Sequence, residues 1–424
     1  MKKLILIVLS LIIIFALTAC GNNEQPSRGN DNDSSRTPTP NDNQTDTSTP
    51  APPPPPSIEF TPEEDFNFIL DPETRGVFIT SYTGNSFDIR IPNEIDGHPV
   101  TGINGLSSSV INVYLPDTLQ VIGRGAFEGY SHITEIIIPD NVTLIDERAF
   151  KDCTKLANVY FGNSVQVIER NAFEGAGLTS VIIPDSVITI GSEAFKNCSN
   201  LININIGNSV QEIGGSTFKE TGLTSVIIPD SVTIIREGAF IRCTNLTSVD
   251  FGNSVQEIGM MAFAETGLTS VIIPDSVTIL REGAFRNTTL TSIVFGDGLI
   301  TIEGGAFAYT PLTSVEFGNN LRSIRGGAFR NTHLVSVTFP ETIVDIGENA
   351  FAGIPTLKDV FFEGNPSIKE GDPESGLVWT AFNVNPADFQ TAGKGPEIPY
   401  ALSDESKQRI LAFNPNSAFN GRPN

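Results

Sequence analysis

Leu178-Thr-Ser-Val181-Ile-Ile183-Pro-Asp-Ser-Val187-Ile-Thr-Ile190-Gly-Ser-Glu-Ala194-Phe195 is one unit of a pattern that fills most of the chain. Leu178, Val181 and Ile183 form the inward set of a short strand, with 181 and 183 at the strand period of two. Pro184-Asp185 is turn chemistry and ends the strand. Val187 and Ile190 return the chain inward, and Ala194 and Phe195 close the unit. Phe recurs at 127, 150, 173, 195, 218, 240, 263, 285, 307, 329 and 351, always 22 or 23 residues apart. A fixed period in the twenties predicts a solenoid of stacked coils.

Beyond this unit, Gly-Leu-Thr-Ser-Val-Ile-Ile-Pro-Asp-Ser-Val starts at 177, 222 and 267, and Gly-Asn-Ser-Val-Gln at 162, 207 and 252. The two forms interleave, so a 45-residue pair of coils reads as the unit of duplication. The length difference falls in the return loop after the Phe, where stacked coils tolerate insertions. Twelve strands fit, beginning at Val110, Ile133, Leu156, Leu178, Leu201, Leu223, Leu246, Leu268, Leu290, Leu312, Leu334 and Leu357. The expectation is a β-rich solenoid of about 12 coils with one long parallel sheet, ~55 Å long at ~4.8 Å per coil. The Phe rings are expected to stack as a continuous spine.

The pattern L-T-S-V-x-I-P-D-S-V-x-x-I-x-x-x-A-F resembles the BspA-like leucine-rich repeats of bacterial surface proteins, over roughly residues 77–363. The opening Tyr82-Thr83-Gly84, Ile89-Arg90-Ile91-Pro92 and Asp96-Gly97-His98-Pro99-Val100-Thr101 is similar to that family's first coil. Phe361-Phe362-Glu363-Gly364-Asn365-Pro366 is similar to its usual end. The resemblance implies display at a cell surface and binding of proteins on a host or neighbouring cell. It supplies no catalytic residues.

The flanks read differently. Met1-Lys2-Lys3 followed by the aliphatic run Leu4 to Leu17 has the form of a signal peptide, too short to span a bilayer as a helix. Leu17-Thr18-Ala19-Cys20-Gly21 resembles the lipobox of bacterial lipoproteins, which implies lipidation at Cys20; ordinary cleavage nearby is the alternative. The domain layout is then 1–20 signal peptide, 21–57 tether, 58–109 N-terminal cap, 110–366 solenoid and 367–424 C-terminal cap or tail. The tether is Pro, Ser, Thr, Asn and Asp without a large apolar residue and is expected to be disordered. Phe87, Ile89 and Ile91 alternate in 58–109, which reads as the N-terminal cap. Lipidation would place the protein on the bacterial cell membrane or outer membrane, exposed at the surface, with Cys20 as its sole membrane contact.

Composition narrows the function classes. Of 424 residues, 26 are Lys or Arg and 49 Asp or Glu, a formal charge of -23, which removes the electrostatic case for binding nucleic acid. Three His and four Cys leave little material for metal or nucleophile chemistry, and no cofactor is expected. Cys153, Cys198 and Cys243 lie at one point of alternate coils, ~9.6 Å apart by coil height and beyond the ~7 Å reach of a disulfide. His98, His132 and His333 have no partner at a ligand-like or triad-like offset.

Candidate binding residues are the outward positions of the strands. Tyr114, Ile137, Tyr160 and Ile182 occupy one outward position of four consecutive coils, with Asn112, Glu135 and Asn158 two residues earlier as a polar flank. An aromatic and apolar row with a polar rim has the composition of a protein-recognition surface. The row continues with Asn205, Ile227, Asp250, Ile272, Val294, Glu316, Thr338 and Phe361, and acidic interruptions are expected to weaken it toward the C-terminus. β-branched residues also favour strands for reasons of packing alone. The function expected is therefore a non-catalytic, monomeric surface protein binding a protein ligand. A passive envelope spacer is the alternative, and an enzyme module in 367–424 a remoter one.

Overall fold

A computed structural model describes residues 57–106 and 109–363. The signal segment, Cys20, the tether up to residue 56 and the tail from 364 onward lie outside the described residues, and with them the expectations placed there. The described chain is a β-solenoid with one 3-10 turn, Glu63–Asp65, and no α-helix. None of its helices is long and apolar enough to cross a membrane.

Most coils contribute two strands, and the coil opening at Leu312 keeps a single bridge, Glu316 to Val294, in place of its leading strand. A leading strand of three or four residues, Ser180–Ile182 in the quoted unit, precedes the Pro-Asp turn, and a trailing strand of two, Thr189–Ile190, follows it. The expected long parallel sheet is present, but the trailing strands build it. It begins with Phe66–Leu70, antiparallel to Val77–Tyr82, continues through His98–Ile103, and then takes every trailing strand from Val121–Ile122 to Asp345–Ile346 in parallel.

The leading strands, where the sequence pattern put that sheet, pair two by two instead: Glu135–Ile137 with Asn158–Tyr160, Ser180–Ile182 with Asn203–Asn205, and Ser225–Ile227 with Ser248–Asp250. Between Phe150 and Leu268 the interruptions follow loop length, whereas the step from Asn112–Tyr114 to Glu135–Ile137 is broken although six residues run from Phe127 to Ile133. Six residues run from Phe150 to Leu156 and from Phe195 to Leu201, and the strands that follow join the preceding coil. Five run from Phe173 to Leu178 and from Phe218 to Leu223, and there the ladder is broken. In the shorter loop the chains touch: a Cβ at Gly222 would collide with the Ser199 carbonyl oxygen of the coil before. From Ser270–Ile273 onward the relation relaxes, because that strand pairs with Ser292–Phe295 across a 22-residue interval.

The inward set forms the core. The first residue of all twelve strands, Val110 to Leu357, is buried, as are the return residues such as Val187 and Ile190 and the Ala before most of the Phe residues. The eleven Phe of the repeat are fully buried. Neighbouring rings lie 5.0–5.6 Å apart and within 3–20° of parallel, an unbroken spine from Phe127 to Phe351. At the N-terminal end Ile89 and Ile91 are buried, whereas Phe87 is exposed. The strand starts at Asp88, so Phe87 falls before the alternation begins and points away from the core.

The turn around each Phe has a regular backbone. The residues two before and two after it have positive φ in all eleven coils, from Gly125 and Gly129 to Asn349 and Gly353. The N–H groups of these residues and of most of the Phe donate to the next coil, as in Phe127 to Ala149 at 2.7 Å and Gly129 to Lys151 at 2.8 Å. The residues between them close tight turns, as in Ala126 to Gly123 at 3.1 Å. Alternating right- and left-handed residues thus make the Phe turn a hydrogen-bonded rung between coils.

Candidate functional site

In the leading strands the middle residue is directed inward and its neighbours outward. Val113, Ile136, Val159 and Val181 are buried, while Asn112, Glu135, Asn158 and Ser180 are exposed. Tyr114, Ile137, Tyr160 and Ile182 stand on the outward side, half-buried. Tyr160 sits directly beside Ile137 in a parallel register, and Tyr114 beside Arg90. No ladder joins Tyr114 to Ile137 or Tyr160 to Ile182, so the row is stepped in pairs. The flank is tied locally, since Asn112 Nδ2 donates to Asp88 Oδ1 at 2.6 Å. Burial first, then the carboxylates of Asp88 and Glu135, push the Tyr114 phenol above its ordinary range. At neutral pH its hydroxyl therefore keeps its proton.

The most exposed apolar members of the row lie farther along: Ile227 at 70%, Ile272 at 71% and Val294 at 56%. Their strand neighbours are Asp250 for Ile227 and Val294 for Ile272. An apolar side chain in that position adds nothing to the core, and the sequence holds it there in seven of the first nine coils of the row.

The cysteines do not form a site. Cys153, Cys198 and Cys243 are buried free thiols whose Sγ donates to the carbonyls of Phe127, Phe173 and Phe218 at 3.0, 3.0 and 2.9 Å. Burial pushes the Cys153 and Cys198 thiols up to about 12. Thr occupies the same position in other coils, where Thr221 and Thr266 donate to the carbonyl of their own Phe at 2.9 Å. The position thus belongs to hydrogen-bonded packing. Among the described residues no group of three or more His, Cys, Asp and Glu gathers as a metal site.

Charged side chains run along the coils in cross-coil pairs. Arg236 reaches Glu212 at 2.7 Å, and Arg281 bridges Glu257 at 2.8 Å and Glu303 at 3.0 Å. The hydrogen bond from Arg281 and its charge hold Glu257 below the usual carboxylate range. A second group joins Lys151 and Lys196 to Glu174, and Lys196 to Glu193 at 2.8 Å. These pairs follow from the repeat, which returns each surface position one coil along.

The architecture defines a class first: a parallel repeat solenoid of 22–23-residue coils with a leucine-rich inward set. The particular family follows from the sequence. The model of the BspA type leucine rich repeat region matches residues 105–178, 166–290 and 278–371, more than half of the chain, and the chain belongs to that family. Proteins of this family are typically surface repeat proteins, and leucine-rich repeats in general mediate protein–protein contacts on a scaffold that is generally non-catalytic. No curated protein matches the chain. Among solved structures it is similar to a leucine-rich repeat protein from Bacteroides ovatus, with 23% identity over 73% of this chain and 98% of that one, at a TM-score of 0.49. It is also similar to a leucine rich cell surface protein from Faecalibacterium prausnitzii, with 26% identity over 74% and 100% of the two chains, at a TM-score of 0.45. The pneumococcal vaccine antigen PcpA gives 18% identity over 82% and 94%, at a TM-score of 0.44.

Proposed function

We propose that the chain is exported, lipidated at Cys20, and held at the bacterial surface as a non-catalytic, monomeric protein that binds a protein partner through the outward row of its leading strands. The observation that carries this reading is the outward row itself. Tyr114, Ile137, Tyr160 and Ile182, and beyond them Ile227, Ile272 and Val294, place apolar side chains outside a core that is complete without them. Asn112, Glu135 and Asn158 supply an exposed hydrogen-bonding rim. Tyrosines beside aliphatic neighbours with a polar edge make a contact surface of the kind that anchors protein interfaces.

The test has two arms. Surface proteins of co-cultured cells are captured on the purified chain, identified, and each candidate is purified and titrated directly. Tyr114→Ser with Tyr160→Ser is expected to weaken that binding at least tenfold while the melting temperature stays within a few degrees. Unchanged affinity defeats the assignment of the row. Separately, Cys20→Ser is expected to move the protein from the membrane fraction and to remove a mass of lipid. A variant that stays in the membrane with unaltered mass defeats the anchor. If the row is substituted without effect and no partner titrates, the chain is a spacer.

A further inference from the structure

On the Phe-turn edge, away from the leading strands, one furrow departs from the neutral ion-pair pattern. It has a volume of ≈ 290 Å³, and glycines of three consecutive coils, including Gly283, Gly305 and Gly327, line it. Its walls include Met261, Arg286, Tyr309 and Arg330, with Glu282 as the acidic residue of the lining.

Three observations set it apart. First, the residue after the Phe is charged and paired early in the array, where Lys151, Glu174 and Lys196 join one another. Arg286 and Arg330 hold the same position later on, with Ala308 between them, and among the described residues neither has an ion-pair partner. Two unneutralised guanidinium groups on one furrow are conspicuous in a chain of charge -23. Second, the Arg286 guanidinium lies over the Tyr309 ring, 5.2 Å from its centroid, which orients both groups. Third, Tyr309 has φ +64°, a conformation that bulky side chains seldom adopt, in a position filled elsewhere by Gly, Asn, Asp, Glu or Arg. A strained aromatic, 43% exposed, at a furrow wall is a local cost that packing does not require.

The furrow favours a sugar chain over an extended peptide. Its backbone is already hydrogen-bonded: Gly283, Gly305 and Gly327 donate to Gly304, Gly326 and Glu348 of the next coil. An added strand would find no ladder partners there, and ladder bonds are what give such peptides their affinity. Arg286 and Arg330 are two coils apart, ~9.6 Å of coil height, whereas same-face side chains of a strand recur at ~7 or ~14 Å. Tyr309 lies in the coil between those of Arg286 and Arg330, and the ring face that Arg286 leaves open suits a pyranose, with carboxylates on alternate rings meeting the arginines.

We propose that Arg286, Tyr309 and Arg330 form a binding furrow for an acidic polysaccharide that carries a carboxylate on every second ring. The test is calorimetric titration of the full chain with a hyaluronan octasaccharide, beside neutral cellohexaose and an oligoglutamate peptide. Binding is expected for the octasaccharide alone. Arg286→Ala with Arg330→Ala is expected to reduce affinity at least tenfold, and Arg242→Ala, an arginine paired with Glu220 and Glu265, to leave it unchanged. Tyr309→Gly separates binding from folding, because it relieves the backbone and is expected to melt no lower than wild type while binding at least fivefold more weakly. No binding of the octasaccharide, equal binding by oligoglutamate, or affinity indifferent to Arg286, Arg330 and Tyr309 overturns the proposal.

Discussion

At the scale of single residues, the positive-φ pair around each Phe is where side-chain identity and backbone conformation meet. An L-residue in the left-handed region costs roughly 1–2 kcal/mol, and Gly escapes that cost. The −2 position is Gly in five of the eleven coils and Arg148, Asn171, Glu193, Ser216, Met261 or Asn349 in the others. At Gly327 a Cβ would have nothing within 4 Å, so Gly327→Ala isolates the conformational effect. It is expected to destabilise by about 1 kcal/mol, and Met261→Gly, at φ +52°, to stabilise by a similar amount. Chemical denaturation of the two variants beside wild type checks both signs. Equal midpoints would mean that the turn is not held in this conformation in solution.

At the scale of the element, the coil-to-coil ion pairs tie neighbouring turns through their surfaces. Glu174 shows the balance. Burial alone would raise its carboxyl, but hydrogen bonds and charge from Lys151 and Lys196 outweigh burial and hold it below the usual range. A group whose folded pKa is depressed stabilises the fold fully above its unfolded value near 4.5, and that contribution is lost as pH falls through the lower folded value. Glu174→Gln is therefore expected to lower stability at pH 7 by about 1.5–3 kcal/mol, the range for a hydrogen bond to a charged group. The gap between variant and wild type is expected to close as pH is taken well below 4.5. Thermal melts of both proteins from pH 7 to pH 3 follow it. A gap independent of pH would show that the loss is one of packing and not of charge.

At the scale of the whole molecule, the array is nearly one-dimensional: each coil packs on its two neighbours, and stability is spread along the stack. The spine is doubled for part of its length. Phe295, Phe317, Phe339 and Phe362 stack on one another, and Phe295, Phe317 and Phe339 also meet the spine edge-on. Toward the N-terminus that second row is mostly Ile, with Phe161 and Phe251 on either side of Ile183, Ile206 and Ile228. Phe218→Ala, where the second row is Ile, is expected to cost ~3–5 kcal/mol and to open the coils on either side. Hydrogen exchange is expected to quicken around 195–240 and to stay slow near 307–351. Uniform loss of protection along the chain would show that the solenoid unfolds as one unit.

The coil was legible in the order of residues alone. The 22–23-residue period, the inward Leu, Val and Ile set, the Pro-Asp turn and the buried Phe all follow from which residues repeat, because a side chain that recurs at one point of every coil meets its own copy. The free cysteines were legible for the same reason, as a 45-residue interval puts them two coils apart. The candidate binding row was legible as composition, since Tyr114, Ile137, Tyr160 and Ile182 recur at one outward position. Tertiary structure alone decided how the strands join. Hydrogen bonds form between backbones, whose relative height depends on loop length and on close contacts such as Gly222 against Ser199, and no side-chain pattern records that height. The left-handed pair around each Phe was hidden too, because residues as unlike as Arg148, Glu193 and Met261 adopt it under the constraint of bonds to the next coil. The furrow at Arg286, Tyr309 and Arg330 was invisible along the chain for a related reason. These three residues span 44 positions in sequence and become neighbours only when the coils stack.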